Sequence, residues 1–443
     1  MALVALAPLP GALLGAALFV GGVLLRPSLV VPAIVLTLPL YLQPRNLGGQ
    51  EISVAEAAIL LGCTAAAAQS FWIAHWGRRD AARAVGLPQP RGVDWAAAAF
   101  IIGALLSLVV TEYPKQSLRE LRWLVVEPIL VFYLARATLS SSGQVAGVLW
   151  SVVAAGAMAA AIGMLDLLAA GRLMDVQARA TAPYLSPNHL GLFLGRAGAV
   201  ALAIALLDRA PRRQRGWGRW SAPGAWLAID VIGLGLIRTL SVGAWIGTAA
   251  AALVLGAIRG RRTVQVMASG LLAVALLAVV TLPPERTLDR LDPALGTGLL
   301  RIYVWQSAGQ MIADHPLLGI GLDNFLYAYR DRYMAPEAWR EPNLSHPHNW
   351  VLHFWLETGL IGLAAALALM IWTGLTAFRL LRSSQAPVDR CLAGAAAAVI
   401  ADFVVHGSFD NAYFLVDLAV LWWIFVALLA IRTSPSGAPG WVH

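Results

Sequence analysis

Charge is scarce in this sequence, and lysine is almost missing. Asp, Glu, Lys and Arg make up 13% of the 443 residues, and Lys115 is the only lysine. With 59% hydrophobic residues and a mean hydropathy of +0.70, a water-soluble globular enzyme of this size is excluded. Cysteine is nearly absent too. Cys63 and Cys391 lie far apart inside apolar runs, so neither a disulfide framework nor a thiolate metal site is indicated. Short segments of alternating hydrophobicity, which a membrane β-barrel needs, are lacking. No internal repeat is visible, which counts against a transporter built from two related halves.

What is present is a succession of apolar runs. Lipid offers backbone groups no hydrogen-bond partner, so each run is expected to be a helix. They cover 9–25, 28–42, 52–76, 94–111, 122–139, 145–168, 189–207, 222–237, 242–258, 264–282, 348–378, 391–407 and 413–431. The fold expected is an all-α polytopic membrane protein of 12 or 13 transmembrane helices. The first run has no basic residue before it and no small-x-small cleavage site after it, and reads as a retained helix.

The net charge of +8 comes almost wholly from arginine. Nucleic acid is not the expected partner, because loop topology explains the arginines. Arg78, Arg79, Arg83 and Arg91 form one cluster, Arg209 to Arg219 a second, Arg259 to Arg262 a third, and Arg379, Arg382 and Arg390 a fourth. All fall on one side of the threading, which the positive-inside rule makes cytoplasmic. The opposite side then carries 283–347, with eight acids against six arginines. There we expect a helix over 301–313, a turn at Gly319-Ile320-Gly321 and an aromatic stretch over 324–333, together a small cap. The chain divides into 1–174 and 175–282 (helices), 283–347 (the cap), 348–431 (helices) and a tail, 432–443.

Chemistry is expected where polar residues break these patterns. Arg179, Arg238 and Arg301 lie on the outer side, where arginine is disfavoured. There a guanidinium can hold a diphosphate through charge-assisted hydrogen bonds, or can snorkel or pair with a loop carboxylate. His346 and His348 precede the helical run from His348. An imidazole there can take a proton from a hydroxyl, the pair can bind a metal, or His348 and Asn349 can simply cap the helix. No acid or cysteine cluster accompanies the pair, and His353 is expected on another face, so no metal is expected. Glu127, Asp166, Arg196, Asp230, Asp402, His406 and Asp417 lie inside apolar runs and are expected to face the interior. A path lined by Asp166, Asp230 and Asp402 would make the chain a transporter or flippase instead.

One pattern resembles a known family. His348-Asn349, nine residues, then Gly359-x-x-Gly362 is similar to the His-Asn-x9-Gly-x-x-Gly of O-antigen ligases, O-antigen polymerases and protein O-oligosaccharyltransferases. Pro316-x-x-Gly319-x-Gly321 with Phe325, preceded by Arg301 and Trp305, resembles the same group, as does Arg179 followed by Pro187-Asn188-x-Leu190-Gly191. The group's Ser-Arg-Gly is Ser241-Val242-Gly243 here, so its arginine is missing, and Arg238 stands one helical turn away.

The resemblance implies a glycosyltransferase of the lipid-carrier-dependent type on the outer face of the cytoplasmic membrane, inverting and without a cofactor. It implies an undecaprenyl-diphosphate-linked glycan donor and a glycan or lipid-linked sugar acceptor. His348 would be the general base, Arg179, Arg238 and Arg301 the diphosphate ligands, and Asn188, Asn349, Gly319, Gly321, Gly359, Gly362 and His346 the supporting motif. Ligase and polymerase share these motifs, and the intact histidine motif favours the ligase.

Overall fold

The computed structural model describes residues 9–47, 50–76, 92–208, 221–281, 296–339 and 342–433. The arginine clusters at 78–91 and 209–219, the loop stretch 283–295 and the tail beyond 433 lie outside them. Each of the thirteen apolar runs contains a helix. The first five are α1 (Leu9–Leu25), α2 (Val30–Thr37), α3 (Val54–Trp76), α4 (Gly92–Ser107) and α6 (Glu127–Thr138), with a short polar helix α5 (Pro114–Leu121) before the last. Then come α7 (Ser142–Ala169), α8 (Pro187–Leu207), α9 (Ser221–Thr239), α10 (Val242–Arg259) and α11 (Arg261–Thr281). The loop helices α12 (Gly296–Asp314) and α13 (Phe325–Ala328) precede α14 (Trp350–Ser383), α15 (Pro387–Gly407) and α16 (Val416–Arg432). The strands among the described residues are one hairpin, β1 (Arg45–Leu47) with β2 (Gln50–Ile52).

The chain is an all-α polytopic membrane protein. Among the described residues, six helices (in α3, α7, α8, α9, α10 and α14) are long and apolar enough, by length and composition, to cross a bilayer. Others are shortened for local reasons. Prolines 27 and 39 confine α2 between two 3-10 turns, because proline removes a donor and crowds the preceding turn. The run at 122–139 opens with a π-turn, Arg122–Val126, ahead of Pro128.

The core follows from residue character. In α16 every residue from Val416 to Ala430 is buried, as expected of a helix that is apolar all round and sits within a bundle. Helix α8 is the other central element, touching α7, α9, α10 and α15. A second, smaller core holds the cap together: Val304 and Met311 of α12 meet Phe325, Tyr329 and Leu356. The cap thus rests directly on α14.

Candidate active site

The site is built around a joint. Asn349 starts α14, its side-chain oxygen accepting from the N–H groups of Val351 (3.0 Å) and Leu352 (3.3 Å). Gly359, at φ 66°, then breaks the helix. The backbone groups freed by the break are taken by the cap: Ile320 N–H donates to Leu356 O (2.8 Å) and Leu360 N–H to Leu317 O (2.9 Å). Gly319 also has positive φ (68°), and a side chain there would run into the Leu356 carbonyl. A Cβ on Gly359 would lie 2.5 Å from Leu317 O. The two glycine motifs are therefore the two halves of one contact. Gly362 serves a different approach, since a Cβ on Gly103 of α4 would fall 2.5 Å from its nitrogen. Gly321, at φ 95°, completes the cap turn, and Asn324 ties that turn to α5 by donating to Thr111 and Ser117 (2.8 Å each).

This joint presents the histidines. Trp305 of α12 donates to Pro347 O (2.9 Å), fixing the peptide between them. His348 itself has φ 51°, a left-handed conformation uncommon for a non-glycine residue. Asp410, in the turn between α15 and α16 and 64 residues from His346 in sequence, faces both rings. Its Oδ1 lies 3.4 Å from His346 Nε2 and 3.6 Å from His348 Nδ1, and it also accepts from Asn411 N–H (2.8 Å). Burial alone would raise the Asp410 pKa, but the two imidazoles outweigh it and hold the carboxyl well below its ordinary range. Burial, then His348 and Arg301, lower the His346 pKa against the pull of Asp410.

One expectation is corrected here: a carboxylate does accompany the histidine pair, and His346 shares it with His348. One ligand atom each from His346, His348 and Asp410 lie within 4.8 Å of one another, a set able to hold a metal ion. His353 is not part of that set. It sits buried in α14, its ring stacked 5.6 Å from His346 and its Nε2 3.5 Å from Glu357.

The three arginines singled out from the sequence differ in their engagements. Arg179 donates through Nε to Thr239 O (2.7 Å) and through Nη2 to Asn188 Oδ1 (3.0 Å), which ties the end of α9 to the start of α8. Arg238 donates to Asp175 O (2.9 Å) and Arg172 O (3.4 Å), and its own carbonyl accepts from Ala180 N–H. It is thus turned to the 172–180 loop rather than to Val242. Arg301 is half-buried and close enough to bear electrostatically on His346 and His406.

Sequence reading missed Asp410 and His189. Asp410 stood in an outer connection, 408–412, whose carboxylate was given no role. His189 directly follows Asn188, interacts electrostatically with Asp410 and His346, and leaves its buried Nδ1 without a partner.

Deeper polar residues do not form one path. Arg196 of α8 and Asp402 of α15 pair at 3.7 Å, fully buried, and Arg196 also donates to Ala412 O. Asp417 accepts from Tyr184 (2.7 Å). Asp166 and Asp230, expected to face the interior, are exposed instead. The path lined by Asp166, Asp230 and Asp402 is not formed.

Residues 224–367, which include the joint and both histidines, match the family model described as O-antigen ligase. The chain is also 25% identical over 212 residues to the O-antigen ligase of Salmonella typhimurium, a match covering 44% of this chain and 50% of that protein. It therefore spans about half the length of that relative. Together with the helical membrane fold, these matches make the chain similar to the O-antigen ligase family over its central and C-terminal helices.

Proposed function

We propose that the chain is a membrane glycosyltransferase that moves a glycan from undecaprenyl diphosphate to an acceptor hydroxyl on the outer face of the cytoplasmic membrane. The observation that carries this is the His348 position: a half-buried imidazole at the mouth of α14, its Nδ1 facing the Asp410 carboxylate, leaves Nε2 for a substrate proton. Nε2 takes the acceptor O–H proton as that oxygen bonds to the anomeric carbon. The bond from that carbon to the phosphate oxygen breaks, and the diphosphate leaves with the electron pair. A single displacement of this kind inverts the anomeric centre.

Arg179 and Arg301 hold the leaving diphosphate, where fixed cations act on developing charge. Arg238 positions the 172–180 loop that carries Arg179. Asp410 keeps the imidazole oriented and steadies its protonated form, so the reaction is read as metal-independent. Against a transporter stands the dispersal of Asp166, Asp230 and Asp402.

The test is purified protein in nanodiscs, supplied with a lipid-diphosphate glycan and an acceptor lipid, with products read on a gel. One shifted acceptor band is expected for a ligase. A ladder of lengths would replace it by a polymerase, and no product with any acceptor would overturn the reading.

A further inference from the structure

The outer end of α10 is shaped for an anion. Ser241 caps it, its side chain accepting from Ala244 N–H (3.5 Å) and its carbonyl from Trp245 N–H (3.1 Å). The N–H groups of Val242 and Gly243, at the first two helical positions, have no acceptor within the helix. In an 18-residue helix such an end favours negative charge. Val242 is 37% exposed, so the end is open.

A second observation points to the same place. His406 of α15 is wholly buried, and neither of its ring nitrogens has a partner. Its ring lies over Gly243: a Cβ there would fall 2.9 Å from Cδ2 and 3.1 Å from Nε2. Only glycine lets the imidazole edge come so close to the helix end. Arg179 is bonded to Thr239, two residues before the cap, and Arg301 bears electrostatically on His406. Arg196 and Asp410 also act on the ring, so the surroundings of His406 include two cations and one carboxylate.

We infer that the Val242 and Gly243 amides and the His406 imidazole form a subsite for one phosphate of a lipid-linked diphosphate, filling the role left by the arginine missing at Val242. The inference rests on the diphosphate reading above. An imidazole N–H set beside that glycine adds a third donor to the two unpaired amides of the helix N-terminus.

Binding of undecaprenyl diphosphate to the full-length protein in nanodiscs tests this, with inorganic pyrophosphate and phosphatidylglycerol as competitors. His406→Gln should weaken undecaprenyl diphosphate about tenfold, the scale of one lost hydrogen bond to a charged group. Gly243→Ala, which blocks the same contact from the other helix, should do likewise and keeps the test sound if His406→Gln folds poorly. Val242→Arg added to His406→Gln should restore binding, which a merely structural role for His406 would not allow. Equal binding by wild type and both single variants would overturn the subsite while leaving the glycosyltransferase reading intact. Displacement of the ligand by phosphatidylglycerol from the wild type would overturn its diphosphate specificity. A wild-type protein that binds no undecaprenyl diphosphate would overturn the donor assignment itself.

Discussion

Two carboxylates near the same end of α15 face nitrogen bases and have different fates. Asp402, inside the helix, pairs with Arg196, and both side chains are 1% exposed or less. Asp410, just beyond it, faces His346 and His348, which keep 12% and 19% of their side-chain surface exposed. The ingredients are alike, an acid and a nitrogen base, and access separates them. A sealed ion pair exchanges nothing with solvent and stands or falls with the fold. An imidazole beside a carboxylate at an open mouth stays within reach of solvent and of a substrate hydroxyl.

The comparison breaks most sharply at His348. His348→Ala should lower transfer by about two to four powers of ten, the span of general-base catalysis, while membrane insertion and thermal melting stay at wild-type values. Full turnover in that variant would remove the general base from the histidine cluster. Arg196→Met should do the opposite. Leaving Asp402 buried without its cation costs about 3–5 kcal/mol of stability, visible as a lower melting temperature in detergent and a poor yield. Adding Asp402→Leu should recover most of that loss. If Arg196→Met melts like wild type but loses turnover, the deep pair is part of the chemistry.

Arg179→Ala is expected to cost about two to three powers of ten in turnover, as for removal of one donor to developing charge. Unchanged turnover would leave Arg301 as the better diphosphate ligand. Asp410→Asn should act more mildly. The carboxyl is held well below its ordinary range, so it remains ionised at neutral pH, where it can steady an imidazolium formed during transfer. Removing its charge should lower turnover about tenfold while donor binding stays at the wild-type level. Unchanged turnover would mean that Asp410 does not act on the reacting ring. Stability depends on pH as well. Asp410, its pKa lowered, contributes above the ordinary carboxylate value, and that contribution is lost as pH falls through its folded value. His346, also lowered, favours the neutral ring and disfavours the fold below the ordinary imidazole pKa.

How much of this the sequence carried depends on distance along the chain. The thirteen helical runs were legible because some twenty consecutive apolar residues have few other solutions. His348, Asn349, Gly359 and Gly362 were legible because one helix carries them within a short span. The meaning of the glycines was not: Gly359 meets Leu317 and Gly319 meets Leu356 across the joint, a pairing no local spacing encodes. Asp410 was hidden because it lies 64 positions beyond His346 along the chain. Asp166, Asp230 and Asp402 read alike because each sits in a helix apolar on all sides, where periodicity cannot tell an inner face from an outer one.

The smallest expected effect concerns the same histidine cluster. A gap of 3.4 Å between His346 Nε2 and Asp410 Oδ1 suits a hydrogen bond, and two atoms on one zinc ion would stand about as far apart. Geometry leaves the two arrangements level, whereas their chemistry separates them. In the metal-free arrangement the imidazoles turn N–H groups toward the carboxylate, and His348 Nε2 stays a base. With an ion bound, a ring nitrogen of His348 would be spent as a ligand. Extended dialysis against a strong chelator should therefore leave transfer unchanged within error. Activity lost on chelation and regained with Zn²⁺ would turn the histidine cluster into a metal centre and move the base to another residue, for which His189, with an unpartnered buried Nδ1 and an electrostatic tie to Asp410, is one candidate.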